Sequence, residues 1–449
     1  MMMSNFKPHD YQQDGIDWIL SHQGAGLFLP PGLGKTSITL SAIDTLKQAN
    51  VIDRVLIIAP LRVCYMVWRQ EVDKWDFPFT IGLLHGKDKD TVVRQKHDIY
   101  LINPEGINWL VNNHLQLFSR YKFMLVCDES TLFKNHSSLR FKMLKHILPL
   151  FKRKLILTGT PAPNGLLQLW SQIFILDGGK RLGKNISAFR RQWFIPSYDG
   201  FSYIMRDGAD DQIYAAINDI VMHKSTDELE LPEKLYNTIL VQLPTTALKL
   251  YKEIKNDFIA QIEDETLITA MNAASQASKL KQIANGMLYN DDKEGINIHD
   301  EKLSALEELV DSLGGRPLLV VYEFNHDLHK LQSTFKNAPR IGGGVTGKEL
   351  ESIVERWNKG ELPVLLIQPK AGGHGLNMQD GGCHDIVWYS ITFDLELYEQ
   401  VNARVHRQGV KNTVTIHHIA AENTVDKKIM RVLEGKAELQ DALLDSLLK

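Results

Sequence analysis

Residues 26–40 read GLFLPPGLGKTSITL. An apolar run breaks at Pro30-Pro31, passes through glycines and re-enters a pattern with helical spacing. That is a strand, a loop and a helix. Positions 29–36, LPPGLGKT, are the second half of the pattern G-x-x-x-x-G-K-[ST], with Leu29 where the first glycine would stand. Gly32 and Gly34 let backbone amides close around phosphate oxygens, and the helix start adds a favourable dipole. The phosphate cradle comprises Gly32, Leu33, Gly34, Lys35, Thr36 and Ser37. Lys35 would neutralise β- and γ-phosphate charge, and Thr36 would ligate magnesium. The plain alternative is a glycine-rich helix start, but the strand before it and the helix after it favour the cradle.

Further along, FMLVCDES (123–130) is an apolar strand ending in two acids. Nucleotide hydrolysis needs one carboxylate to hold magnesium and one to orient water; Asp128 suits the first role and Glu129 the second. A strand ending in LTGTP (157–161) follows. Thr158 and Thr160 are small hydroxyl residues suited to bonding those acids and linking phosphate state to movement.

Short apolar runs at 27–29, 55–58, 99–102, 124–127 and 155–157 form one series, and those at 318–322, 364–367, 386–388 and 414–419 form another. Runs apolar on both faces and separated by helix-length segments are central strands of parallel sheets, so the expected fold is α/β with two lobes. The expected first lobe is 1–245, with a mostly helical insertion near 166–225 and the 236–243 segment as its last strand. A helical connector over 246–300 follows, where Leu250, Ile254, Phe258 and Ile262 recur at helical spacing. The second lobe is 301–449, closing with one long helix from Thr424 to Leu448.

In that lobe, Asp394 is placed to cap a helix through LELYEQVNARVHRQ. Gln400, Arg404 and Arg407 are spaced to share one face, and Leu397, Val401 and Val405 supply its buried side. Arginine suits γ-phosphate charge because its planar fork stays ionised. Before it, QPKAGGHGLN (368–377) follows an apolar strand. Lys370 could meet a nucleic-acid phosphate, and Gly373 and Gly375 could admit close backbone approach. His374 and His406 lack an acid or cysteine cluster, and His417 and His418 point to opposite faces of a strand, so no metal site is expected.

The chain has 449 residues, 51 Lys plus Arg against 54 Asp plus Glu, 44% hydrophobic and 23% charged residues. That composition excludes a largely disordered chain. No apolar run reaches the ~18 residues of a membrane span, and residues 1–10 show no signal-peptide core. Three scattered cysteines exclude a disulfide framework. A formal charge of -3 means that any basic surface is local.

In this order the motifs resemble those of superfamily-two helicase-like ATPases, and among them the Swi/Snf-type (Snf-two family) DNA translocases. HDYQQDGIDWI (9–19) resembles the family's Q-type segment, which makes Gln12 the adenine reader. PPGLGKT resembles its GLGKT, and IIAPLRVCYMVWRQEVDKW (57–75) resembles motif Ia, tryptophan included. DESTLFKN (128–135) resembles DEAHRIKN, LTGTPAPNGLLQLW (157–170) resembles motif III, and QVNARVHRQG (400–409) resembles the arginine motif. LKQIANGMLY (280–289) and DEKLSALEELV (300–310) resemble the connector between lobes.

The resemblance covers nearly the whole chain. It implies two RecA-like lobes, ATP and Mg2+ as cofactors, Thr36 and Asp128 on the metal, and Lys35, Asp128, Glu129, Arg404 and Arg407 in catalysis with Gln400 beside them. It implies duplex DNA as the track, touched by Arg62, Lys370 and Gly373, in a monomer of a bacterial or phage-infected cell, neither secreted nor membrane-bound. Departures are Leu29-Pro30-Pro31 before the cradle, Thr131 at the DEAH histidine, His374 where leucine is common, Ala403 before Arg404, and Val410. A strand-separating or annealing helicase is the alternative, marked by a wedge hairpin that the sequence does not reveal. A second alternative is an ATP-gated scaffold with little turnover, which the intact acids and arginines disfavour.

Overall fold

Seven segments pair into one all-parallel sheet in the first half of the chain. Their order is Ile81–Leu83, Ile99–Ile102, Arg54–Ile58, Phe123–Asp128, Phe151–Thr158, Gly24–Phe28 and Val221–His223. The computed structural model describes residues 5–434 except 160, 163–164, 198–202, 225–231, 264–269, 291–294, 346, 373–375, 377, 408–409 and 411, and describes no side chains within 257–274 or at 371–372. Chain contacts divide it into two units, Met1–Glu230 and Leu231–Lys449.

The five central strands of the first sheet are the runs expected from apolar continuity. Their alternation splits them between two cores. Leu56, Ile58, Leu125 and Cys127 enter one, and Val55, Ile57, Met124 and Val126 enter the other. Helices cover both faces, which is why each strand is apolar throughout. The edge strands Ile81–Leu83 and Val221–His223 are too short to show a pattern.

Between Thr158 and Val221 lie helices Leu169–Asp177, Ile186–Trp193 and Ala209–Ile217. Leu169, Ile173, Phe189 and Ile213 join the first core, so this segment covers one face of the sheet. It also carries an antiparallel hairpin, Phe194–Pro196 with Tyr203–Met205. Ile195 and Ile204 face each other across it and are 41% and 54% exposed.

The second unit has its own all-parallel sheet, in the order Lys234–Val241, Val414–Ala421, Asp385–Trp388, Leu318–Val321, Val364–Ile367 and Arg340–Ile341. This corrects the assignment of the 236–243 segment to the first lobe. The strand pairs from Lys234 opposite Val414 to Val241 opposite Ala421. An eight-residue strand leaves a long edge of amides and carbonyls, and a partner of equal length covers it. The first sheet is closed at its own edge by Val221–His223.

Helices Thr245–Glu263 and Ala270–Ala284 follow, with a short hairpin of Met287–Tyr289 and Gly295–Asn297. The last described helix is Val425–Leu433, capped by the Thr424 side chain; the rest of the expected terminal helix lies outside the described residues.

A buried polar web ties these pieces together. Lys302 is fully buried and reaches Asp426 Oδ2 at 2.7 Å, Asn285 Oδ1 at 2.9 Å and the Tyr389 carbonyl at 3.3 Å. Asn285 donates to Ser390 Oγ at 2.8 Å, and the Tyr389 hydroxyl donates to the Asn285 carbonyl at 3.1 Å. His417 meets Asp385 at 3.1 Å on one face of its strand, and His418 meets the Tyr398 hydroxyl at 2.9 Å on the other. No cluster of three His, Cys, Asp or Glu residues able to hold a metal occurs among the described residues, and no described helix is long and apolar enough to cross a membrane.

Two outcomes are expected. Asp426→Ala leaves the Lys302 charge uncompensated in the interior and costs about 3–5 kcal/mol in urea unfolding; Lys302→Met with Asp426→Leu recovers much of that loss. Burial, then the neighbouring His417, lowers the His418 pKa to about 4. The fold therefore favours neutral His418, and this stabilisation is whole above about 6.5 and lost as pH falls from there toward 4. Melting at pH 7 and pH 5 should show that loss, and His418→Gln should reduce it.

Candidate nucleotide site

Three neighbouring strands of the first sheet end side by side. Phe28 is registered opposite Thr158, and Leu157 opposite Asp128. Adjacent strands lie about 4.8 Å apart, so the three ends fall within roughly 10 Å of one another. The carboxyl edge of a parallel sheet is where such folds bind ligands, and the expected cradle, acids and threonine all emerge there.

After Phe28, Leu29 is fully buried and the chain turns through Pro30–Gly34 into helix Lys35–Gln48. Gly32 and Gly34 have φ of 94° and 73°, left-handed values natural only to glycine. Gln12 locks this turn. It is 3% exposed, accepts from the His9 amide at 3.0 Å and donates to the Leu33 carbonyl at 3.4 Å. A Cβ at Gly34 would come 2.5 Å from its Nε2. Lys35 Nζ donates to the carbonyls of Leu29 at 2.6 Å and Pro30 at 3.2 Å, which holds the ammonium over the turn. Thr36 is partly exposed in the first helical turn, Ser37 bonds the Gly34 carbonyl, and the Leu33 side chain is buried in the core.

Asp128 accepts from the Trp68 indole N–H at 2.9 Å. Desolvation, then the Glu129 charge, push its carboxyl up to about 6, against the pull of Lys35 and Trp68. Glu129 has φ 70° and ψ 76°, a left-handed turn in a residue with a side chain. This takes the second acid out of the strand's alternation. The Thr158 and Thr131 hydroxyls both donate to its Oε1, at 2.9 and 2.7 Å. Thr158 thus joins Glu129 to the end of the next strand, and Thr131 braces the same carboxylate from the following turn. A second link runs parallel to it. Ser130 Oγ donates to Gln172 Oε1 at 2.6 Å, and Gln172 Nε2 donates to the Pro161 carbonyl at 2.6 Å. Gln172 was not singled out from sequence; its signal is a lone amide inside the apolar run LWSQIFIL. Thr160 lies outside the described residues.

In the second unit, Asp394 caps helix Leu395–Val405, accepting from the Leu397 amide at 3.1 Å. The helix does not carry all three of the residues expected to share one face, Gln400, Arg404 and Arg407. Gln400 and Arg404 are 5% and 6% exposed, and the helix stops before Arg407. Tyr398, Val401, Asn402 and Val405 are buried too, so the helix is enclosed on most sides. Gln400 donates to Glu396 at 3.1 Å, and Arg404 to the Leu376 carbonyl at 3.2 Å. Arg407 is partly exposed beyond the helix end. Of the residues expected on nucleic acid, Lys370 is exposed at the carboxyl end of strand Val364–Ile367, Arg62 is partly buried with a pKa lowered by desolvation, and Gly373 lies outside the described residues.

Residues 11–291 match the SNF2-related domain, and residues 301–409 match the helicase conserved C-terminal domain. The chain belongs to the SNF2-related family. This SNF2-related chain is 32% identical to protein p41 of Acyrthosiphon pisum secondary endosymbiont phage 1 over 471 residues, covering 99% of each. It is 26% identical to the uncharacterized ATP-dependent helicase MG018 of Mycoplasma genitalium, spanning 96% of itself but only 41% of that relative. A solved Sulfolobus solfataricus SWI2/SNF2 ATPase core in complex with dsDNA is similar at 21% identity and a TM-score of 0.47, covering 99% of this chain and 96% of that one. The two parallel sheets are RecA-like lobes of the SNF2-related type, and the family is one of helicase-type ATP hydrolases.

The Trp68 bond favours ionised Asp128, so Trp68→Phe should raise the Asp128 midpoint above about 6. Carboxyl NMR titration of the two proteins reads the shift. An unmoved midpoint would remove Trp68 from the site.

Proposed function

We propose that this chain is a motor that couples ATP hydrolysis to translocation along duplex DNA. The observation that carries the reading is the Glu129 carboxylate, held by Thr158 and Thr131 at the strand ends next to the glycine turn. Family membership and the name of the mycoplasma relative support ATP as the fuel.

The donor set fits a magnesium nucleotide. A cation is poised over a turn with glycines in the left-handed region, and hard oxygens of Thr36 and Asp128 suit magnesium. When bound, Mg2+ would neutralise charge on the β- and γ-phosphates. The Gln12 amide would read the adenine, and the amides of 32–37 would hold the phosphates. Lys35 would leave its backbone carbonyls for phosphate oxygens. Glu129 would orient a water on the γ-phosphorus and take its proton as the bond to the ADP oxygen breaks. Arg407 would stabilise the γ-phosphoryl charge, with Arg404 and Gln400 positioning the segment that carries it.

The two links from the acids, through Thr158 and through Gln172, would pass phosphate state to the 158–161 segment. Lys370, with Arg62 and Gly373, would grip phosphates without reading bases, so binding would fall steeply with salt. The phage relative supports a bacterial or phage-infected cell as the setting.

Steady-state ATP hydrolysis, measured without nucleic acid and with single-stranded DNA, duplex DNA or RNA, tests this. Duplex DNA should stimulate most. Lys35→Ala, Glu129→Gln and Arg407→Ala should each lower turnover by about a hundredfold or more. Wild-type turnover in the first two would overturn the site, and stimulation by single strands alone would overturn the track.

One observation favours a second reading, strand separation. The 194–205 hairpin carries the exposed Ile195 and Ile204 pair that a wedge requires. Displacement of a forked duplex that is lost in Ile195→Ser with Ile204→Ser, at unchanged ATP turnover, would establish it.

A further inference from the structure

The nucleotide site occupies the carboxyl edge of the first sheet. The opposite edge of the same sheet holds a cavity of about 600 Å³. Its position is set by Gly24 and Lys154, registered partners in the two strands that end at Phe28 and Thr158. Leu148, Phe151, Phe174 and Ile220 give it apolar walls.

Four lysines stand around this space: Lys145, Lys152, Lys154 and Lys180. They come from helix Leu139–Ile147, from strand Phe151–Thr158 and from the turn after helix Leu169–Asp177. None of the four makes an ion pair among the described residues. Lys145 lies over the Phe174 ring, 4.6 Å from its centre. Arg181 engages Asp177, which lines the cavity, and Asp219 nearby. Asp219 receives two bonds from Arg181, at 2.8 and 2.6 Å. Asp177 accepts from the Gly179 and Arg181 amides at 2.7 and 2.9 Å and pairs with the Arg181 guanidinium at 3.4 Å.

Burial, and next the Lys180 charge, lower the pKa of the partly buried Lys154, against a smaller opposing pull from Asp177. Cations gathered at this edge of a sheet could instead be offsetting helix carbonyl ends. That task is already filled for the helix Asp10–Ser21, because Arg153 donates to the carbonyls of Ile19, Leu20 and His22 at 3.0, 3.0 and 2.8 Å. None of the four lysines bonds a carbonyl among the described residues.

We infer that this cavity is a second anion site, for a small polyphosphate-bearing molecule of nucleotide size. Concave spaces of ~300–1,000 Å³ suit small ligands. The apolar wall accepts a ring, and the four lysines accept phosphates. Nothing in the ATPase reading requires it.

The test uses the full chain with Lys35→Ala, which mutes the glycine-turn site, and titrates inorganic triphosphate by calorimetry at low salt. One-to-one binding is expected. Adding Lys154→Gln with Lys180→Gln should weaken it at least tenfold. Adding instead the exposed pair Lys145→Gln with Lys152→Gln should also weaken it, and an unchanged melting temperature there guards against misfolding. No binding in the Lys35→Ala chain, or equal affinity in both quadruply charged and depleted forms, would overturn the inference. Displacement of triphosphate by free nucleotide supports a small ligand, and displacement by duplex DNA alone overturns it. Because the parent variant is already impaired at the turnover site, failure here is separable from failure of the motor reading.

Discussion

Parallel registry places Phe28, Thr158 and Asp128 at the ends of three adjacent strands, and the rest of the first unit's site depends on that placement. Strand Phe151–Thr158 lies between the glycine-turn strand and the acid strand, so its terminal hydroxyl can reach Glu129 only if the register holds. A left-handed residue other than glycine costs about 1–3 kcal/mol. Two hydroxyl bonds to a charged acceptor, worth about 1.5–3 kcal/mol each, more than offset it. The strained turn is thus held by the very groups it brings together, and losing one of them weakens both the geometry and the link.

Both units use a buried amide as a junction between elements that the backbone alone would leave independent. In the first, Gln172 spans from Ser130 to the Pro161 carbonyl. In the second, the Asn285 side chain joins Lys302, Ser390 and Asp327. An amide has donors and an acceptor in fixed geometry, so it fits only one arrangement of its neighbours. Such networks specify a unique packing because a partly satisfied version is costly. In the first unit the junction also lies beside the acids, where movement of the 158–161 segment would be felt.

The fold was legible where burial is complete on both faces. Runs such as VLII (55–58) and LLVV (318–321) are apolar throughout because helices cover both sides of each sheet. Strands of two or three residues, Ile81–Leu83, Val221–His223 and Arg340–Ile341, carry too few positions to show any period. Strand Lys234–Val241 was legible as a strand but not as a member of the second sheet, because mostly exposed side chains at a sheet edge do not encode which edge they join. The glycine turn and the paired acids at a strand end were readable because each is a short local pattern. Gln172 was not, because its partners lie 42 and 11 residues away and only tertiary packing makes it an intermediary.

Arg404 and Arg407 looked alike in sequence, and the fold separates them. Arg404 is enclosed and bonds the Leu376 carbonyl within its own unit. Arg407 follows the helix end at His406, whose ring meets the Pro232 carbonyl at 2.7 Å. That contact fixes where the chain leaves the helix and therefore where Arg407 starts. Burial thus differs between two arginines that helical spacing alone treats as equivalent.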